Sequence, residues 1–213
     1  HVNTRSGLSL NDCMDKGPNQ VSSLVDCLIH WRTVEKAMMA DLTKAYQAIK
    51  TGEKELHIRR IVYRKDPGTG WEDYGYTRAT FGDLAAGLLL EAAKRRAAAE
   101  GEQLDPLVAK QLRENVYVDD ICGGGSPEEV KRMVGEEGDK GTLHKILETC
   151  GMKLKFVAVS GDKRQEVAEM LGGMVLGLGY NLAEDKISLS IPLQYHNKGR
   201  ARQKEMMKLD FRS

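Results

Sequence analysis

Short apolar runs and one-sided apolar spacings divide this chain into predicted strands and helices. Residues 36–42, KAMMADL, form an apolar run that predicts a buried strand ending at an acidic residue. Residues 84–99 are rich in Ala and Leu and predict a helix. Residues 20–34 predict an earlier amphipathic helix, whose apolar side chains recur at helical spacing: Val21, Leu24, Val25, Leu28 and Ile29.

The second half of the chain contains helix starts and extended segments. Asp105 and Pro106 begin a predicted helix that ends near residue 114. Ser126 and Pro127 begin another, because Ser is a good N-cap and Pro suits the first helical position. That helix is interrupted at residues 135–141 and resumes to residue 150. Extended structure is expected as a strand, turn and strand over 115–125, a strand over 153–159, a hairpin within 174–191, and an earlier hairpin of 55–64 with 74–80.

The order of these elements predicts the fold class. Strands and helices mix without strict alternation, which favours an α+β fold with helices on one face of an antiparallel sheet. A split β-α-β unit of the ferredoxin-like kind is the natural candidate for its centre.

Composition narrows the class of protein. Hydrophobic residues make up 41% and charged residues 30% of the 213 residues, a globular balance without a disorder signature. No apolar run approaches the ~20 residues of a membrane span, so we expect no membrane partner. Four cysteines lie far apart without a C-x-x-C pair, which indicates a reducing, intracellular compartment and buried rather than metal-bound thiols. The chain begins with His1, so we expect an excerpt from a longer polypeptide.

The net charge of +1 does not by itself indicate nucleic-acid binding. Basic residues nevertheless cluster at 57–65, 94–96 and 198–208. Each cluster could contact phosphates, and each is also compatible with an ordinary solvated surface. The charge pattern therefore permits a nucleic-acid partner without requiring one.

Three aspartates are the strongest candidates for chemistry. Asp41 ends an apolar strand, and Asp119 and Asp120 occupy the turn between two others, where unpaired acids are costly. Carboxylates in such positions are candidate ligands for two Mg²⁺ ions, which favour oxygen ligands and can promote an in-line displacement. Taken singly, Asp119 and Asp120 could be ordinary turn residues, and Asp41 could be a helix N-cap.

Five segments in order resemble the reverse transcriptases of BEL/Pao-type LTR retrotransposons. DLTKAY at 41–46 is similar to their first carboxylate motif, and YVDD at 117–120 to their second. RATFG at 78–82 resembles the segment that opens the nucleotide-side helix. LNDCMDKGPN at 10–19 and VLGLGYN at 175–181 resemble two flanking motifs of the same elements. The resemblance spans residues 8–192.

The resemblance implies a palm subdomain with partial fingers. Residues 31–50 and 81–192 would form the palm, 51–80 a fingers hairpin, 1–30 a lead-in from the fingers, and 193–213 the start of the thumb or a linker. The implied activity is RNA-directed DNA polymerisation with two Mg²⁺ ions, for which Mn²⁺ is a possible substitute. The implied partners are an RNA or DNA template-primer, dNTPs and the rest of a polyprotein carrying protease, RNase H and integrase. The implied location is a cytoplasmic retroelement particle or the nucleus.

The same resemblance assigns roles to individual residues. The catalytic metal ligands would be Asp41, Asp119, Asp120 and the carbonyl of Leu42. The nucleotide-binding residues would be Tyr46, Phe81, Gly82 and Lys155. The primer-binding residues would be Tyr117, Gly177, Gly179 and Tyr180. Tyr46 would exclude a 2′-hydroxyl from the sugar pocket, with a core aromatic as the alternative, and Lys155 could equally be an ordinary solvated lysine.

The chain also departs from the family pattern. Ala86 and Gly87 stand where Ser-Pro is usual, Asp83 replaces an apolar or small residue, and Tyr180 replaces Trp. The upstream triphosphate-clamping strand, complete thumb, RNase H and integrase are not expected within these residues. Two other functions therefore stay open: a catalytically inactive or co-opted fragment that binds nucleic acid or protein, and an unrelated magnesium-dependent phosphotransferase.

Overall fold

The computed structural model describes residues 7–136, 139–193 and 205–211, with backbone alone at 190–193 and 205–211. This part of the chain is a mixed α+β structure with antiparallel sheets, which confirms the predicted class. Its helices are α1 (Leu24–Thr33), α2 (Ala45–Ala48), α3 (Ala86–Gly101), α4 (Pro106–Glu114), α5 (Pro127–Val134), α6 (Thr142–Thr149) and α7 (Gln165–Leu171). Its strands are β1 (Lys36–Leu42), β2 (Arg60–Tyr63), β3 (Glu72–Gly75), β4 (Val116–Tyr117), β5 (Asp120–Gly125), β6 (Leu154–Val159), β7 (Met174–Val175), β8 (Leu178–Asn181), β9 (Lys186–Leu193) and β10 (Glu205–Phe211).

The central sheet has the strand order β4-β5-β1-β6. β1 is antiparallel to both of its neighbours, β5 and β6. The connection from β1 to β4 includes α3 and α4 and leaves β5 between the two strands, while the connection from β5 to β6 includes α5 and α6 and leaves β1 between them. Each crossover therefore has the split β-α-β arrangement. The ends of β1, β5 and β6 meet at one edge, where the candidate acids lie.

Both faces of this sheet are covered, so the prediction of helices on one face was wrong. On one face, Met38, Ala40 and Ile121 pack in a core with residues of α3, α4, α5 and α6. On the other face, Met39 and Cys122 pack in a second core with residues of α1 and α7 and of the β7-β8 region. The reason lies in β1, whose successive residues are apolar and point to opposite faces. Two apolar faces both need cover from water.

Side-chain caps explain why two helices begin where the sequence predicts. The Asp105 side chain accepts hydrogen bonds from the backbone amides of Leu107 and Val108 at the start of α4. Ser126 and Glu129 form a reciprocal capping box at the start of α5. Each cap satisfies backbone donors that the first turn leaves unpaired. Both predicted helix starts are thereby confirmed.

Helix α1 is shorter than predicted and buries a different face. It begins at Leu24, with the Ser23 side chain accepting from the Asp26 amide. Cys27 and Trp31 are its buried residues, whereas Val25 and Ile29 are 62% and 58% exposed. Trp31 stacks edge-on against Tyr180 with ring centroids 4.9 Å apart. The contact between these two large aromatic rings, rather than the spacing of the apolar residues, decides which face of α1 is buried.

The remaining strands form two separate sheets. β2 and β3 make a two-stranded antiparallel hairpin whose residues are all exposed. β2 is shorter than predicted, and β3 shares only residues 74–75 with the strand predicted at 74–80. β10-β9-β8-β7 make a four-stranded sheet, which includes the predicted hairpin within 174–191. The sequence pattern predicts neither α7 nor β10, and β10 falls in the range 193–213 where a thumb start or linker is expected. Within the part of the chain that the structure describes, we find no helix whose length and apolar character would suit a membrane span.

The glycine run in β5 makes a matched stability test. A Cβ on Gly124 would lie 2.3 Å from the Lys36 carbonyl oxygen, at a φ of +155°. We expect Gly124→Ala to lower the free energy of unfolding by about 2–3 kcal/mol through this clash with the backbone. Gly87 lies in α3 with open space around its Cβ position. Gly87→Ala should instead raise the free energy of unfolding by about 0.5–1 kcal/mol. Urea unfolding measures both, and equal effects of the two substitutions would contradict the interpretation.

Candidate functional site

The three candidate acids meet at the edge of the central sheet. Asp41 and Asp120 are directly opposed on β1 and β5. Opposed residues of an antiparallel pair have Cβ atoms about 4.5–5.5 Å apart, so the two side chains project from the same small region of the sheet. The backbone amide of Leu42 donates to the carbonyl of Asp119 at 3.2 Å, which ties the end of β1 to the turn. Residues 77 and 79 positions apart in sequence are thus brought together, as the sequence predicts.

The turn that carries Asp119 has an unusual backbone. Val118 and Asp119 are the two residues between β4 and β5, whose flanking residues Tyr117 and Asp120 are paired. Val118 has a φ of 57°, in the left-handed region. A β-branched residue is disfavoured there, because its Cβ crowds the backbone. The turn therefore stores strain next to the acids, and strain of this kind persists where the surroundings enforce it.

Concentrated negative charge dominates the electrostatics of this edge. Burial raises the pKa of Asp120 to about 6, with the carboxylates of Asp119 and Asp41 contributing and the ammonium of Lys155 opposing them. The Lys155 Nζ donates to Asp41 Oδ2 at 3.1 Å. Lys155 extends from β6 with its side chain 59% exposed, so this contact is a surface ion pair. The site holds more negative charge than its own lysine balances.

That imbalance suits a divalent cation. The residues that the structure describes include no group of three or more His, Cys, Asp and Glu side chains placed so that they could hold a metal ion. Mg²⁺ usually keeps several waters and takes one or two carboxylates together with substrate phosphates. A magnesium site at Asp41, Asp119 and Asp120 would therefore need water molecules and substrate phosphates as additional ligands. The sequence prediction of a magnesium site stays a prediction.

Two of the predicted nucleotide-binding side chains are in contact beside the acids. The rings of Tyr46 and Phe81 meet edge-on, with centroids 4.9 Å apart. A bridge between Lys50 and Arg78 brings the two segments together. Burial raises the pKa of the Tyr46 phenol, and the nearby carboxylates of Asp119 and Glu91 add to the shift. Tyr46 is half-buried, whereas Phe81 is 72% exposed and offers an aromatic face to solvent.

The turn after Phe81 is held by Asn11 and Arg59, and the sequence pattern predicts neither contact. Gly82 has a φ of +92° with open space at its Cβ position. Asn11 brackets this glycine: its Nδ2 donates to the Gly82 carbonyl at 2.7 Å, and its Oδ1 accepts from the Leu84 amide at 3.0 Å. Arg59, which is buried, pairs with Asp83. Asp83, which departs from the family pattern, is therefore paired with Arg59 in this structure. Asn11 lies within the flanking motif at residues 10–19.

The predicted primer-binding residues divide into two groups. Tyr117 is half-buried at the end of β4, directly opposite Asp120. Gly177 lies in the tight turn between β7 and β8, with a φ of +85°, and Gly179 packs against Ser188 of β9. Tyr180 is only 5% exposed, and its hydroxyl donates to Asp185 Oδ1 at 2.7 Å. The structure therefore brings Tyr117 to the acids, whereas the Tyr180 side chain belongs to the second core.

A buried ion pair under the acid turn was missed. Lys94 is fully buried, and its Nζ donates to Glu91 and to the Val118 carbonyl, the latter at 2.9 Å. The sequence pattern instead places Lys94 in a basic surface cluster at 94–96. Its position follows Leu90 by four and precedes Ala97 by three, on the buried stripe of α3. This helical spacing was the sequence signal that could have predicted the burial of Lys94.

Comparisons with known proteins add no assignment. A scan against protein-family models found no match, and a search of curated proteins found no significant match.

Proposed function

We propose that this chain is the palm, with part of the fingers, of a retroelement reverse transcriptase. It would transfer nucleotides from dNTPs to a primer 3′-hydroxyl with two divalent metals. The observation that carries the proposal is the convergence of Asp41, Asp119 and Asp120 at one sheet edge. The Tyr46–Phe81 ring pair beside them supports a nucleotide pocket. The split β-α-β order of the central sheet is compatible with a polymerase palm.

Each group in this site has a physical task in the proposed reaction. Asp41, Asp119 and Asp120 would hold the cations. Bound Mg²⁺ would activate the attacking hydroxyl and stabilise the leaving oxygen. Lys155 is mostly exposed and paired with Asp41, so it can turn towards an anionic group bound at the same edge. The Tyr46 ring would limit the space beneath the incoming sugar, and the exposed Phe81 ring would contact the base pair.

Primer extension tests the proposal. The chain is expressed within the reading frame that encodes it and assayed on a primed RNA template with Mg²⁺ and dNTPs. We expect extension by the parent and loss of extension by Asp119→Asn, which keeps the shape of the turn and removes one charge. Asp139→Asn is the matched control, because Asp139 is a mostly exposed aspartate paired with Lys145. Extension by Asp119→Asn at the parent rate would overturn the proposal.

An inactive fragment remains the second candidate, and metal titration separates the two. The polymerase proposal expects Mn²⁺ to bind the chain and binding to be lost in Asp41→Asn. Retained nucleic-acid binding without any Asp41-dependent Mn²⁺ binding would favour the co-opted fragment instead.

A further inference from the structure

The buried pair of Lys94 and Glu91 lies directly beneath the acid turn. The Lys94 side chain has no exposed surface and Glu91 is 6% exposed. The Nζ of Lys94 donates one hydrogen bond to Glu91 and another to the Val118 carbonyl, 24 residues away in sequence. Burying an ammonium is costly unless it is paired and hydrogen-bonded. Here Glu91 of α3 provides the opposite charge, and the Val118 carbonyl of the turn accepts a further hydrogen bond from the ammonium.

The turn needs such support. Val118 holds a left-handed φ of 57°, which a β-branched side chain disfavours. The hydrogen bond from Lys94 fixes the carbonyl of this same residue at 2.9 Å. The next residue is Asp119, whose carbonyl in turn accepts from the Leu42 amide. A movement of the Val118 peptide would therefore reorient Asp119 and loosen its link to β1.

The pair is also suited electrostatically to lie near a cation. The Lys94 charge is compensated by Glu91, so the pair carries no net charge that would repel a divalent ion. Burial lowers the pKa of Lys94, and the Glu91 carboxylate opposes that shift. A neutral hydrocarbon at position 94 would fill the same space without donating to the turn.

We propose that Lys94, held by Glu91, is a positioning residue that keeps the Val118–Asp119 turn in the geometry required for cation binding. This inference rests on the proposed function, because it assigns a role towards the metals at Asp41, Asp119 and Asp120. Groups that orient metal ligands from behind typically change metal affinity by roughly 10- to 100-fold when they are removed. An effect of that size is expected here.

The test measures the affinity of the full chain for Mn²⁺ alone, by electron paramagnetic resonance of the free ion. Glu91→Gln/Lys94→Met removes both charges together and leaves no uncompensated buried ion. We expect its dissociation constant to rise ~10- to 100-fold. The control is Arg96→Met/Glu100→Gln, which removes an exposed ion pair from the same helix. Its dissociation constant should stay within about twofold of the parent value.

A second background separates positioning from general loosening of the fold. Glycine tolerates a left-handed φ, so Val118→Gly removes the backbone strain that the hydrogen bond from Lys94 opposes. In the Val118→Gly background, Glu91→Gln/Lys94→Met should change the dissociation constant by less than about threefold, relative to Val118→Gly alone. A merely structural role would weaken binding equally in both backgrounds, and that result would overturn the inference.

The possible failures are distinguishable. If the parent binds Mn²⁺ in an Asp119-dependent manner and Glu91→Gln/Lys94→Met binds it equally well, the inference fails and the proposed function stands. If the parent shows no Asp119-dependent binding, the proposed function fails and the inference fails with it. If Glu91→Gln/Lys94→Met does not fold, Glu91→Gln/Lys94→Gln replaces it, with and without Val118→Gly, and the same two outcomes decide.

Discussion

Asp120→Asn is expected to lower primer extension on the order of a thousandfold, because it removes a proposed metal ligand from a site where the bound cations would contribute several kcal/mol. The same substitution should make the metal-free protein more stable at pH 7. Burial, together with Asp119 and Asp41, raises the pKa of Asp120 to about 6. An ionised carboxylate in that position is unfavourable in the folded state. After a discount for partial exposure, its removal should add about 1–2 kcal/mol to the free energy of unfolding.

The sign of the pH dependence follows from the raised pKa. In the unfolded chain Asp120 has an ordinary pKa of 3.8, and in the folded chain its pKa is about 6. The folded state therefore binds more protons between these values, and the penalty from Asp120 is complete above pH 6 and absent below pH 3.8. We expect the stability difference between Asp120→Asn and the parent to vanish across this window as pH falls. Urea unfolding from about pH 4 to about pH 8 without divalent ions measures it.

Asp105 provides the control with the opposite sign. Burial alone would raise the pKa of Asp105, but hydrogen bonds from Arg132 and Thr142 hold that pKa below its ordinary value. Its charge therefore stabilises the folded state at neutral pH, and this contribution is lost as pH falls through the lowered pKa. Asp105→Asn should lower the free energy of unfolding at pH 7 by about 1–3 kcal/mol. A destabilising effect of Asp120→Asn at pH 7 would contradict the electrostatic account of the site.

The sequence predicted correctly those elements whose ends are determined by neighbouring residues, such as an apolar run or a helix cap. β1 occupies the apolar run at 36–42, and α4 follows directly from the Asp105 cap and Pro106. The predicted buried face of α1 was wrong because that face depends on Tyr180, far along the chain. The sequence of helix α7 shows no strong apolar periodicity, so the helix was not predicted. Its Val167 and Leu171 are buried by packing against the second core.

The residues of the candidate site likewise fall into those that the sequence predicted and those that it missed. Asp41, Asp119 and Asp120 were predicted because acids that end apolar strands are conspicuous within a few residues. The bonds of Lys94 to Val118 and of Asn11 to Gly82 join segments 24 and 71 residues apart. A lysine in a basic cluster looks like a surface residue until the partner of its ammonium is known. Tertiary pairing of polar groups is therefore the information that the linear pattern lacked.

Tyr46→Ala is expected to reduce discrimination against ribonucleotides. The Tyr46 ring packs edge-on against Phe81. In the proposed pocket this ring would leave no room for a 2′-hydroxyl. Forcing one extra oxygen against a packed ring costs about 1–3 kcal/mol. The ratio of kcat/KM for a dNTP to that for the matching rNTP should therefore fall roughly 10- to 100-fold in Tyr46→Ala. Single-nucleotide primer extension with each substrate measures this ratio.

Two controls decide whether the ring itself is responsible. Tyr46→Phe keeps the ring and removes the hydroxyl, so its selectivity should stay within about threefold of the parent value, because the packed volume is nearly conserved. Tyr63→Ala removes an exposed tyrosine of the β2-β3 hairpin and should leave selectivity unchanged. If Tyr46→Ala loses stability and activity but keeps the dNTP preference, Tyr46 is a core aromatic rather than a gate. Such a result would leave the proposed cation site unaffected, since the contacts among Asp41, Asp120 and the Asp119 turn do not depend on this ring.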